Sequence, residues 1–134
     1  MAKGGSGEVL LVDDDIELLR QLAIAFLRAG HEVQCAVDGE KALAQFDAAA
    51  PDAVVIDLIM PVREGIETII AMRARRPDAK ILAISGGLRR SPETFLSMAL
   101  RLGADAVLPK PFLPSEAVAA VRRLLAAEAD DAAA

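Results

Sequence analysis

The sequence predicts an α/β fold, a parallel five-stranded sheet of order 2-1-3-4-5 with helices on both faces, a three-layer sandwich. Two observations carry this. Five short apolar runs alternate with five stretches of helical period along the 134 residues. Three of those runs are almost wholly apolar, as strands covered on both faces are. Right-handed crossovers then leave few topologies, and this order is the commoner five-strand solution, with its switch point between strands one and three.

The runs are Glu8–Val12, Glu32–Val37, Ala53–Ile56, Lys80–Ile84 and Ala106–Leu108. The second carries Gln34, which suits an edge strand. Ile16, Leu19, Ala23, Phe26 and Leu27 share one face of a first helix, with Gly30 as its C-terminal signal. Leu43 and Phe46 mark a second helix, closed before Pro51. Ile66, Ile69 and Ile70 mark a third, ending near Pro77. Phe95, Met98, Ala99 and Leu102 mark a fourth, stopped by Gly103. Val118, Val121, Leu124 and Leu125 mark a fifth, started by Pro114. Phe26, Phe46 and Phe95 read as core residues, Cys35 as packed within the second strand, and His31 as exposed in the turn after Gly30.

Composition bounds the function. A chain that is 54% hydrophobic can build a core and is not disordered. No apolar run reaches the roughly 18–20 residues that span a bilayer, so membrane insertion is not expected. One cysteine and one histidine exclude an internal disulfide and a zinc site, which points to a reducing, cytoplasmic setting. Fifteen basic against twenty acidic residues give a net charge of −5, which disfavours direct nucleic-acid binding. The chain divides into residues 1–7, a flexible arm or appended remnant; 8–127, one domain; and 128–134, an acidic, alanine-rich tail expected to fray.

Ligands of such sheets bind beyond the carboxyl ends of the strands. Strand one ends in Asp13-Asp14-Asp15, strand three in Asp57, strand four in Ser85-Gly86-Gly87 and strand five in Pro109-Lys110-Pro111. The predicted order makes Asp13 and Asp14 neighbours of Asp57, with Ser85 and Lys110 following along the rim. Like-charged carboxylates about 4 Å apart repel by about 4 kcal/mol per pair at an effective dielectric near 20. A proton or a divalent cation must relieve that repulsion, and all-oxygen donors suit Mg²⁺. A carboxylate is also a nucleophile toward phosphorus. A lysine and a hydroxyl beside it would hold phosphoryl oxygens. Each piece alone has a plain structural reading: acids favour a helix N-terminus, a role that fits Asp15, and Ser-Gly-Gly suits a turn.

Together the pieces carry a resemblance. Val12-Asp13-Asp14-Asp15, Asp57-Leu58-Ile59-Met60-Pro61 with Gly65, Ile84-Ser85-Gly86, Leu102-Gly103-Ala104-Asp105 and Lys110-Pro111-Phe112 occur in order at the expected strand ends. Over Glu8 to Ala127 the sequence resembles the receiver domain of a two-component response regulator, of the stand-alone, CheY-like kind. The resemblance implies a flavodoxin-like (βα)5 fold. It implies Asp57 as phosphoacceptor, and Mg²⁺ (or Mn²⁺) held by Asp13, Asp14, Asp57 and the Ile59 carbonyl, with Asp14 the direct ligand of the pair. Ser85 matches the switch hydroxyl and Lys110 the phosphate-binding lysine, with a cis Lys110-Pro111 bond. The implied function is a phosphorelay switch, not a turnover enzyme. It would take its phosphoryl group from a sensor histidine kinase or a histidine phosphotransfer protein and signal to an unknown downstream protein.

The sequence departs from that pattern at Val107, where many receivers carry an aromatic residue, and in the stretch from Gly86 to Pro92, which is longer than usual and holds Arg89 and Arg90. Arg89, Arg90, Arg101, Arg122 and Arg123 form a candidate basic patch. Ile59 and Gly87 lack side chains that would position a hydrolytic water, so slow dephosphorylation is expected. Two other readings compete. One is a phosphorylation-independent interaction module on the same fold, or a receiver fragment of a longer regulator or hybrid kinase. The other is an Asp-nucleophile phosphohydrolase resembling haloacid dehalogenases, which would need an acid where Ile59 stands.

Overall fold

The structure is a computed structural model, and it describes residues 7–58, 64–85 and 92–133. The strands are β1 (Glu8–Val12), β2 (Glu32–Ala36), β3 (Ala53–Asp57), β4 (Lys80–Ser85) and β5 (Ala106–Pro109). The helices are α1 (Ile16–Arg28), α2 (Gly39–Ala49), α3 (Glu64–Arg75), α4 (Pro92–Leu102) and α5 (Pro114–Ala133). All strand pairs are parallel and their order is β2-β1-β3-β4-β5, as the sequence predicts.

Alternation along the strands divides the core in two. Leu10, Val12, Val54, Ile56, Ile81 and Ala83 face α2, α3 and α4, where they meet Ala42, Phe46, Ile69, Met72 and Ala99. Val9, Leu11, Val55, Leu82 and Ile84 face α1 and α5, where they meet Leu19, Leu22, Phe26, Val118 and Val121. Phe26 and Phe46 are fully buried, as expected, and truncation of either would cost about 3–5 kcal/mol. Phe95 has no described side chain.

Local chemistry sets the helix ends. The Asp15 side chain accepts from Leu18 N at the start of α1, and Asp38 accepts from Lys41 N at the start of α2. Gly30 sits at φ 97° just past α1, a backbone conformation that suits glycine.

Three sequence expectations need correction. His31 is buried, not exposed: its Nδ1 lies 3.2 Å from the Gly7 carbonyl and its ring meets Phe26 edge-on. Cys35 is exposed, not packed, because edge strand β2 has a neighbour on one side alone. In α1 the inward face holds Leu19, Leu22 and Phe26, while Ile16 and Leu27 are exposed at its two ends. α5 runs from Pro114 to Ala133 through sequence rich in alanine, the best helix former.

Candidate functional site: an acidic rim at the strand ends

The site is built where β1, β3, β4 and β5 end side by side. Register pairs Val12 with Ile56, so the chain turns into Asp13 beside Asp57. Asp57 pairs with Ile84, and Ser85 pairs with Pro109, which puts Ser85 and Lys110 on the same rim. The Lys110 N–H donates to the Ser85 carbonyl at 2.8 Å and extends that pairing by one residue.

Asp13, Asp14 and Asp57 each offer a carboxylate oxygen, and these oxygens lie within 4.8 Å of one another. Asp13 and Asp57 are 1% and 4% exposed, whereas Asp14 faces solvent. Lys110 Nζ reaches Asp13 Oδ2 at 3.1 Å and Asp57 Oδ2 at 3.4 Å. One ammonium thus bridges two buried carboxylates from two other strands. The second Asp13 oxygen accepts the Asp15 N–H at 2.9 Å.

The electrostatics follow from that packing. Burial pushes the Asp13 pKa up, and Asp14 adds to the rise, against the lowering by the Asp15 N–H and by Lys110. Burial alone would lower the Lys110 pKa, but Asp57 and Asp13 outweigh it and the net direction is up. The ammonium therefore stays charged at neutral pH. Three hard oxygen donors around a charge deficit fit a cation such as Mg²⁺.

Gly65 explains a second constraint. A Cβ added there would fall 2.2 Å from the Asp57 carbonyl oxygen and 2.7 Å from that of Leu58. The start of α3 therefore packs backbone to backbone against the end of β3, which only glycine permits.

The Lys110-Pro111 peptide bond is cis, as the resemblance implies. Phe112 packs against the α1/α5 side of the core, and Val107, half-buried, against the other. Ser85 is buried at the end of β4. The Ile59 carbonyl and the stretch with Gly86, Gly87, Arg89 and Arg90 lie outside the described residues.

Sequence reading missed Arg73. Its Nε, Nη1 and Nη2 make five hydrogen bonds, to the carbonyls of Gly103 (two), Pro77 and Ala79 and to Asp105 Oδ2. The same Asp105 oxygen accepts the Ile81 N–H at 2.8 Å. This staple fixes the turns entering β4 and β5 at the end of the sheet opposite the acidic rim. The Gly103-Ala104-Asp105 segment was the available signal.

The profile of the response regulator receiver domain matches residues 9–122. The chain belongs to that family. The receiver is 40% identical over 120 residues to the transcriptional regulatory protein PrrA of Mycobacterium tuberculosis, covering 90% of this chain and 50% of that protein. It is 33% identical over 118 residues to the alkaline phosphatase synthesis transcriptional regulatory protein PhoP of Bacillus subtilis, covering 88% of this chain and 48% of that protein. The chain thus spans about half the length of the curated relatives it matches. Among solved structures it is similar to a CheY-like receiver domain protein of Methanospirillum hungatei, with TM-score 0.83, 26% identity, and coverage of 92% of this chain and 97% of that one. It is also similar to the chemotaxis response regulator CheY4 of Vibrio cholerae, with TM-score 0.76, 32% identity, and coverage of 87% and 97%. Among the described residues no helix is long and apolar enough to cross a membrane.

Proposed function

We propose that this receiver is a phosphoacceptor switch of a two-component phosphorelay, with Asp57 as the acceptor. The observation that carries the reading is the Lys110 ammonium set between the buried carboxylates of Asp13 and Asp57. An Asp57 oxygen would attack the phosphorus of a phosphohistidine on a sensor kinase or phosphotransfer protein. The new O–P bond forms as the P–N bond to the histidine breaks, and the imidazole leaves with the proton it needs from solvent.

The chain's own groups have distinct tasks. Lys110 would move from the Asp57 oxygen onto a phosphoryl oxygen, keeping its contact with Asp13. The Ser85 hydroxyl would donate to a second phosphoryl oxygen. Asp13, Asp14, Asp57 and the Ile59 carbonyl would hold Mg²⁺, or Mn²⁺ in its place. Asp14 suits the direct ligand because it faces solvent, while both Asp13 oxygens already accept hydrogen bonds. The bound cation would supply charge neutralisation for the transferring phosphoryl group.

The output is altered binding of a downstream protein, in a cytoplasmic setting. The receiver consumes one phosphoryl group per switching event and is not a turnover enzyme. Incubation with Mg²⁺ and acetyl phosphate, followed by intact mass measurement, tests the reading. A phosphoryl adduct that is lost in Asp57→Ala supports it. No adduct, from acetyl phosphate or from histidine kinases, leaves a phosphorylation-independent interaction module instead.

A further inference from the structure

The two edges of the sheet are built differently. Its outer strands are β2 and β5. β5 ends in Pro109, with Pro111 two residues on, and proline blunts an edge because it has no N–H to offer. β2 has no proline and no glycine, and its one charged residue, Glu32, stands at its start. Among the described residues the sole strand neighbour of β2 is β1.

Alternation fixes which backbone groups that edge presents. The Glu32 N–H donates to the Gly7 carbonyl, and the Ala36 carbonyl accepts the Asp13 N–H. Glu32, Gln34 and Ala36 therefore turn their backbone groups toward β1, and Val33 and Cys35, between them, turn theirs outward. Register sets Val33 beside Val9 and Cys35 beside Leu11, so both side chains lie on the sheet face that α1 and α5 cover.

This edge matches itself. Antiparallel pairing needs outward residues of one strand to face outward residues of the other. A second β2, turned about an axis through Gln34 perpendicular to the sheet, sets Val33 of each copy opposite Cys35 of the other. Each such pair can exchange two N–H···O bonds. Gln34 meets its own copy on the axis as a neutral pair, and Glu32 falls opposite Ala36, so no like charges face each other.

The side of α1 above this edge is apolar as well. Leu19, Leu22 and Phe26 point into the core, and Ala25, Arg28 and Ala29 line a groove against α5. Ile16, Arg20, Ala23 and Leu27, at spacings of four, three and four, occupy the remaining side, toward β2. Ile16 and Leu27 are 63% and 57% exposed, and Cys35 below them is exposed too. The same two-fold brings the second α1 alongside, antiparallel and on the same face, and covers that line. We propose that two copies of this chain pair through their β2 strands and join their five-stranded sheets into one. The contact needs no phosphoryl group, and its test is separate from that of Asp57.

Sedimentation equilibrium of the unphosphorylated full chain, in reductant, tests the proposal. Dimer should form reversibly as concentration rises. High salt should leave its dissociation constant within about threefold, because backbone bonds and apolar cover are not screened as charge pairs are. Cys35→Pro removes one outward N–H and leaves the β1 ladder intact, and should weaken the dimer at least tenfold, with a thermal melt to confirm folding. Cross-linking then reads the register. In Gln34→Cys/Cys35→Ser the two introduced thiols sit on the axis, with Cα atoms about 4.5 Å apart, and mild oxidation should give a disulfide dimer. In Glu32→Cys/Cys35→Ser the Cα atoms are offset by about 13 Å along the strands, beyond disulfide reach, and cross-linking should be at least tenfold slower. A parent chain that stays monomeric at millimolar concentration overturns the proposal. So does a dimer that salt dissolves, one that a folded Cys35→Pro variant retains, or equal cross-linking at positions 32 and 34.

Discussion

Replacing Asp13 with asparagine isolates the electrostatic tension of the rim. Asp13 is buried, with an oxygen within 4.8 Å of oxygens on Asp14 and Asp57. At that separation and an effective dielectric of about 20, a like-charged pair costs about 3.5 kcal/mol, and less for solvent-facing Asp14. Lys110 lies 3.1 Å away. On the same scale its attraction offsets about 5 kcal/mol. The Coulomb contributions nearly cancel, so what remains is the cost of holding a carboxylate away from water. That cost is why burial raises the Asp13 pKa despite the lysine. The amide keeps an oxygen for the Asp15 N–H and sheds the charge. Asp13→Asn should therefore gain about 1–3 kcal/mol in urea unfolding at neutral pH without divalent cation. On the proposed function it should also lose most of the stabilisation that bound Mg²⁺ would give the parent, about 2.7 kcal/mol at a hundredfold excess over the dissociation constant. The pH dependence has a definite sign. The folded chain holds the Asp13 proton to higher pH than the unfolded chain, so this residue's contribution makes parent stability fall as pH rises from the ordinary aspartate range through the raised value. The variant lacks that slope. A variant less stable than the parent without cation, or one that responds fully to Mg²⁺, would refute the reasoning.

The other residues give sharper single outcomes. Lys110→Met leaves two buried carboxylates without their counter-ion and should cost about 3–5 kcal/mol at neutral pH by urea titration, with part recovered by Mg²⁺. In the parent, the stability Lys110 adds is fully present below the ordinary lysine value and fades as pH rises through its raised folded value, so an alkaline melt series should show the loss in the parent and not in the variant. Gly65→Ala drives a methyl into the Asp57 carbonyl and should cost more than the usual 1–3 kcal/mol of overpacking, with slower phosphorylation by acetyl phosphate; near-parent stability would contradict the close approach. Arg73→Lys cannot span the carbonyls of Pro77, Ala79 and Gly103 together with Asp105, and should cost at least about 2 kcal/mol, a change under about 0.5 kcal/mol being the contrary result. With the proposed function in hand, Ile59→Asn should shorten the lifetime of the phosphoryl adduct as followed by intact mass, and an unchanged lifetime would reject the role assigned to that position.

The sequence by itself determined the architecture and the inventory of the rim. Period-two and period-3.6 patterns are local, and the fully apolar runs Val9–Val12, Ala53–Ile56 and Ile81–Ile84 read directly as strands covered on both faces. Because parallel strands all end on one side, polar residues that stop a run are already assigned to a common edge. Asp13, Asp57, Ser85 and Lys110 were legible for that reason, although Lys110 and Asp13 stand 97 residues apart. Tertiary structure decided what depends on neighbours from distant segments. It separated buried Asp13 from exposed Asp14, two adjacent aspartates with the same local pattern, because one points into the sheet end and the other to solvent. It buried His31 against Phe26 and the Gly7 carbonyl and left Cys35 outside, since an edge strand has two unlike sides. It also gathered Arg73, Gly103 and Asp105 into one staple, a set with no shared period and no spacing that a linear reading could use.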